Sequence, residues 1–352
     1  IVPLLGLGLL VFHRKDARKN LRNFVLAGLV GLVAVLPLFK ELAKPGAGSR
    51  AAGVGLFADP GPVNRVNEQR GEHVEYNTFG AKILHNKPIN YGLTFLDNWT
   101  DHFNGEFLFL SGDEIQRNKI PETGQFFPFQ LPLILIAFWF IFKKAKRWGF
   151  ILWWLIVAPI GAALTFQSPH ALRSYNMVIP LTIISSYRHV ALLNWLKTNI
   201  KKKYKLLTLH FALLILATWQ FTSYQHMYWN HMTKEYPFSS QYGVKELVEY
   251  ITTTDRKFNR VVVTDRYDQP YILFLFYLKY PPQKFQEGHV LTERDRFGFS
   301  TVREFDKYVF TSIQPWDKMR DDYRGALIAG TNEEIPEANI VKKIYGPNGY
   351  LY

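Results

Sequence analysis

Six apolar blocks set apart by strongly polar stretches constrain this chain more than any other feature. They cover residues 1–12 (IVPLLGLGLLVF), 23–39 (NFVLAGLVGLVAVLPLF), 126–142, 148–166, 175–196 and 206–223. Most approach the roughly 20 residues that a helix rising 1.5 Å per residue needs to cross a bilayer. Buried helices of a large soluble protein have similar lengths, so the connections must separate the two readings. Residues 13–22, 143–147 and 197–205 hold 14 of the 42 Lys and Arg residues but one of the 29 Asp and Glu residues. The rest of the chain is electrically balanced, so the net charge of +13 resides in three short connections, after the first, third and fifth blocks. Alternation of this kind is the positive-inside pattern.

The predicted fold is therefore an α-helical polytopic membrane protein of about six transmembrane helices with a C-terminal α/β extracytoplasmic domain. Residues 1–39 form two membrane helices, the first cut short; 40–125 an outer loop with an interfacial helix; 126–223 four membrane helices; and 224–352 the α/β domain. The basic connections lie in the cytoplasm against anionic lipid, and 40–125 and 224–352 lie outside. Trp148, Trp153, Trp154, Trp195, Trp219 and Tyr224 suit an interfacial aromatic belt. Arg188 and His189 interrupt the fifth block and are expected to snorkel to the headgroups. Ile1 opens inside an apolar run with no Met before it, so the sequence reads as the C-terminal part of a longer protein.

Basic residues divided among inner loops do not make a nucleic-acid surface, and no nucleic-acid partner is expected. With no Cys, disulfides, thiolate metal sites and cysteine nucleophiles are excluded. No Gly-rich phosphate loop, Walker A, HExxH, GxSxG or EF-hand pattern occurs. No cofactor is evident, and the residues leave a divalent-metal requirement open.

Within 40–125, Ile89, Leu93, Leu96 and Phe103 recur at helical spacing, as on a helix lying on a membrane or packing on a bundle. Asn98-Trp99-Thr100 spells a glycosylation sequon. The 224–352 segment reads as helix 242–253, strand 260–265, helix 269–280 and strands near 307–313, 325–330 and 339–345. Asp265 and Asp268 fall at a strand's carboxyl edge, where α/β sheets bind ligands and where Asp also caps helices. His226 and His231 flank Tyr228 and Trp229, either as a metal pair or as an interfacial cluster.

Two constellations can carry chemistry. Gly112-Asp113-Glu114 with Arg117, Asn118 and Gly124-Gln125 precedes the third block; Pro169-His170-Ala171-Leu172-Arg173-Ser174 joins the fourth and fifth. A cationic Arg and a His at an interface can clamp a phosphate, and helix capping with headgroup contact explains the same residues.

Taken in order, the GDExxR…GQ stretch before an LP-containing apolar block, the turn SPHALRS, and the run WNHMTKEYPFSSQYGVKELVEYI…VVVTDRYDQPYILFLFYLKYPPQKFQ resemble bacterial membrane glycosyltransferases of the GT-C class. These are relatives of protein mannosyltransferases and of the aminoarabinose transferase acting on lipid A. The resemblance implies an enzyme that moves a sugar from a polyprenyl-phosphate carrier to an acceptor on the outer face. It implies His170 and Arg173 at the lipid phosphate and Asp113 and Arg117 in an outer-loop site, with Glu114 a weaker candidate and Glu122 at no family position. It also implies an acidic general base in an N-terminal loop that this sequence lacks, hence an inactive fragment. The competing expectation is a non-catalytic membrane-anchored sensor or transport component whose outer domain binds a ligand.

Overall fold

The computed structural model describes residues 1–44, 46–143, 145–199, 203–254, 258–295 and 299–351. The chain divides into two compact units, Ile1–Gln225 and His226–Tyr352.

The six-span expectation is overturned. Among the described residues one helix, Leu21–Leu42, is both long and apolar enough to cross a membrane: it has 22 residues, a mean hydropathy of 2.0, and no burial against the rest of the protein. The apolar helices Val2–Phe12, Gln130–Phe142 and Arg147–Ala163 fall short of a full span. Val178–Asn199 and Lys203–His226 are long, at 22 and 24 residues, but polar groups such as Ser185, Arg188, Asn194, His210 and Gln220 dilute them. Backbone chemistry explains the shortfall. Pro128 delays the third helix until Gln130, and a turn at Ala158-Pro159 breaks the fourth block after Val157. The multi-pass topology, and with it the assignment of 143–147 and 197–205 to the cytoplasm, lapses. Lys144 and residues 200–202 of those stretches lie outside the described residues. The 13–22 connection is itself a short helix, Arg14–Lys19.

In the first unit, Gln130–Lys143 packs along Val178–Asn199. Ile134, Ala137, Ile141, Leu155, Ala158, Met177, Leu181 and Ile184 form its core, so the apolar faces of these helices bury one another. Arg188 places its guanidinium 3.9 Å from the centroid of the Phe140 ring, a cation–π contact within the protein. A π-turn, Glu106–Leu110, adds Phe107, Leu108 and Phe109 to the same core.

The second unit is a five-stranded sheet in the order β2-β3-β4-β1-β5. Its strands are β1 (Val261–Val263), β2 (Val290–Leu291), β3 (Val302–Phe305), β4 (Tyr308–Phe310) and β5 (Leu327–Ala329). β1 runs parallel to β4 and β5, whereas β2, β3 and β4 pair antiparallel. Alternation along the strands separates two cores. Val261 and Val263 pack with Val244, Val248 and Ile251 of the Val244–Thr253 helix and with Phe274; Val262 and Val309 pack with Ile313, Met319 and Tyr323 on the other face. The expected strand at 339–345 is instead a 3-10 turn, Glu337–Asn339, followed by a single bridge between Tyr345 and Leu351. The β2–β3 pairing has no counterpart in the sequence reading.

Candidate functional site

The site begins with the Lys87–Asp101 helix. Asn86 caps it by accepting from Ile89 N at 3.0 Å, and Pro88 occupies its first turn, where no N–H is needed. The helix delivers Asn98 and, four residues on, His102 to one side. Asn98 Nδ2 donates to the carbonyls of Ala163 (3.2 Å) and Thr165 (3.0 Å), and Ser168 Oγ donates to Asn98 O at 2.8 Å. Trp99 Nε1 adds a bond to Ile156 O at 2.9 Å. These bonds staple the helix to the chain that enters the His170 turn. Asn98 is buried with its amide engaged, so the 98–100 sequon is closed to modification.

The loop bearing Asp113 is pinned from the opposite side. Gln125 N and Phe126 N donate to the carbonyls of Phe107 and Leu108, drawing 124–126 alongside the π-turn. Gly112 has φ of +71°, in the left-handed region that glycine adopts without strain. A Cβ on Gly124 would lie 2.4 Å from Phe109 Cα and C, backbone atoms that cannot turn aside. Gly124→Ala is expected to cost about 1–3 kcal/mol, as overpacking does. Thermal unfolding measures it, and an unchanged midpoint would refute this packing account.

Asp113 is wholly buried. Its Oδ1 accepts from Ile115 N (2.9 Å), and its Oδ2 from Ala171 N (2.7 Å) and Asn118 Nδ2 (3.1 Å). His170 Nδ1 stands 3.7 Å from the same Oδ2. The neighbouring backbone is also held, because His170 N donates to His102 Nε2 at 3.2 Å while His102 Nδ1 donates to Asn98 O at 2.7 Å. Arg173 Nη1 donates to Thr165 Oγ1 at 2.7 Å.

Electrostatics tie the cluster together. Burial, then the positive charges of Arg173 and Arg117, holds the His170 pKa below its ordinary value, with Asp113 pulling the other way. Burial, and then His170, lowers His102 against the pull of its bond to Asn98 and the charge of Asp113. Both imidazoles are therefore neutral at neutral pH. Nearby, burial and then the charges of Asp97 and Glu114 raise Asp101.

Of the four residues expected to form the site, Asp113 and His170 face each other, Arg173 follows on the same turn with its guanidinium on Thr165, and Arg117, exposed on the Asp113 loop, acts on His170 through its charge. Glu114 is exposed beside it, and Glu122 has φ of +50° in the loop leading to Gly124. His102 was missed: a histidine one turn beyond an Asn near a helix end carries no motif, and only the fold brings it to His170.

A groove of about 680 Å³ lies between the Gly61–Gly71 and Lys87–Asp101 helices, lined in part by Asp59, Arg65, Asn90 and Asp97. Leu93 and Leu96 of the latter helix remain exposed. In the second unit Asp265 and Asp268 are exposed, while Glu334 is buried at the end of the parallel strands. Glu334 accepts from Thr264 Oγ1 (3.0 Å), Thr331 N (2.7 Å) and Thr331 Oγ1 (2.8 Å). His226 and His231 meet through Nε2 at 3.2 Å across a π-turn, with Glu235 3.4 Å from His231. Among the described residues no group of three or more His, Asp or Glu is set to hold a metal ion.

The chain matches no family model, no curated protein and no solved structure.

Proposed function

We propose that the chain belongs to a membrane-anchored glycosyltransferase that takes a sugar from a polyprenyl-phosphate carrier, with Arg173 and Arg117 holding the carrier phosphate beside His170. The observation that carries this reading is the bond from Ala171 N to Asp113 Oδ2, which ties the loop of Arg117 to the turn of His170 and Arg173, so that the positive charges of both arginines act on one buried imidazole. Guanidinium groups in a partly dehydrated setting neutralise a phosphate as it departs with the electron pair of the sugar bond. Thr165 aims Arg173, and the Asp113 bonds fix the turn from which it projects. Leu21–Leu42 anchors the chain, with the basic 13–22 segment on the cytoplasmic side against anionic lipid, so that the chain beyond it emerges on the other face.

Binding of a C55 polyprenyl phosphate to the protein in nanodiscs tests the reading. Arg173→Ala is expected to weaken binding by roughly 10- to 100-fold, the value of one charged hydrogen bond. Unchanged affinity would overturn the phosphate assignment.

A second reading rests on the sheet. The β1 connection runs to a helix on one face, and the β4 connection to Trp316–Asp322 on the other, so their carboxyl ends frame a crevice of the kind that binds ligands in open α/β sheets. A sensor or transport component would use that crevice, and its ligand binding would be indifferent to Arg173→Ala.

A further inference from the structure

We propose that His226 and His231 hold a divalent transition-metal ion of the class that prefers imidazole, zinc foremost, between their Nε2 atoms. The site lies wholly within the second unit and neither uses nor alters the transferase reading. It begins with an irregularity of the backbone. Residues five apart on an α-helix point about 140° away from each other around its axis. Met227–His231 is instead a π-turn, in which the fifth residue returns to the same face. The widened turn brings the two histidines together, with their Nε2 atoms 3.2 Å apart. Such turns are rare and recur at functional sites. Both rings are open to solvent, His231 with 43 % of its side chain exposed, so an ion can reach them.

The geometry suits an ion better than a shared proton. Nitrogens each about 2.0–2.1 Å from one tetrahedral zinc stand about 3.3 Å apart, close to the separation here. A hydrogen bond at 3.2 Å is at the long end of its range and prefers to be straight. The ring centroids are 5.0 Å apart with the planes at 62°. That is closer than two rings pointing straight at each other across the same gap, so the rings are bent off the line joining the nitrogens. An ion at the apex of two ligand bonds requires such a bend. The outer nitrogens are held as well. His231 Nδ1 lies 3.4 Å from Glu235 Oε1, the carboxylate–histidine arrangement that orients metal ligands and raises their basicity. Asn230 Nδ2 lies 3.1 Å from His226 Nδ1. A half-turn of that amide presents Oδ1 to an N–H on Nδ1, which leaves the Nε2 lone pair for the metal. Imidazole favours zinc, copper and nickel over magnesium and calcium, which take oxygen ligands. A four-coordinate ion on two imidazoles keeps two positions for water or another oxygen ligand.

Zinc titration of the whole chain in nanodiscs, in competition with a chromophoric chelator, tests the site. Either His226→Gln or His231→Gln is expected to weaken one zinc equivalent by roughly 100-fold or more, and Glu235→Gln by about 10- to 100-fold, the usual worth of an outer-shell partner. The side chains are exposed, so all three variants are expected to keep the wild-type unfolding midpoint. X-ray absorption at the zinc edge of the loaded wild-type protein should show two imidazoles at about 2.0–2.1 Å. Wild-type zinc binding in both histidine variants overturns the proposal, since the zinc is then adventitious and held elsewhere. A wild-type protein that binds no zinc equivalent also overturns it, and assigns the gap between the rings to a proton. Unchanged affinity in Glu235→Gln overturns the orienting role of that carboxylate.

Discussion

Asp113→Ala is expected to lower the stability of the first unit by about 3–5 kcal/mol, the cost of breaking a buried ion pair or an equivalent hydrogen-bonded charge. The side chain has no exposure and accepts from Ile115 N, Ala171 N and Asn118 Nδ2. Truncation strands these donors, each at about 1–3 kcal/mol less whatever water entering the new cavity restores. Asp113→Asn keeps the volume but puts an N–H₂ group where one carboxylate oxygen had accepted, so it too is expected to destabilise, by less. Thermal unfolding of both variants checks the ordering. Wild-type midpoints for both would mean that the Asp113 bonds do not hold the loop and the His170 turn together.

In the second unit, Phe274→Ala is expected to cost about 3–5 kcal/mol through lost burial and the cavity left behind. Phe274 has no exposure, and its ring meets Tyr308 at 5.3 Å and Phe310 at 5.4 Å edge to face. Its ring sits between the Tyr271–Tyr277 helix and β4, so its removal opens a cavity between helix and sheet. Denaturant unfolding followed by near-ultraviolet circular dichroism reports that loss. A midpoint shift worth less than 1 kcal/mol would show that the helix is held elsewhere.

Both predictions fall on residues whose importance the sequence disclosed unevenly. The apolar stretch YILFLFY announces a buried helix, and RVVVTD a central strand, because local periodicity reflects the face each element buries. The edge strand β2 and its neighbour β3 carry weak signals: Val290 and Leu291 are exposed, and their pairing depends on a partner brought in by the fold. Asp113, Arg117, His170 and Arg173 could be named as candidates from residue type and resemblance. The joining of the Asp113 loop to the His170 turn could not be read, because it depends on the Asn98 and Trp99 bonds to 156–165 and on the backbone pairing of 125–126 with 107–108. His102 was invisible for the same reason.

The membrane reading failed by a related route. Apolar composition states that a segment avoids water, but not whether lipid or protein covers it. In Leu21–Leu42 no residue is buried by a neighbour and the apolar run is unbroken, so sequence and structure agree on one span-length helix. In Gln130–Lys143 and Val178–Asn199, Ile134, Ala137, Ile141, Leu181 and Ile184 cover one another. Prolines and polar insertions then decide how far each helix runs. The sequence by itself determined where the chain avoids water, where its charge collects, and which residues could bind phosphate. Only the tertiary structure decided how many helices have the length to span, and that a buried carboxylate joins two distant loops into one site, because both depend on contacts between residues far apart in the chain.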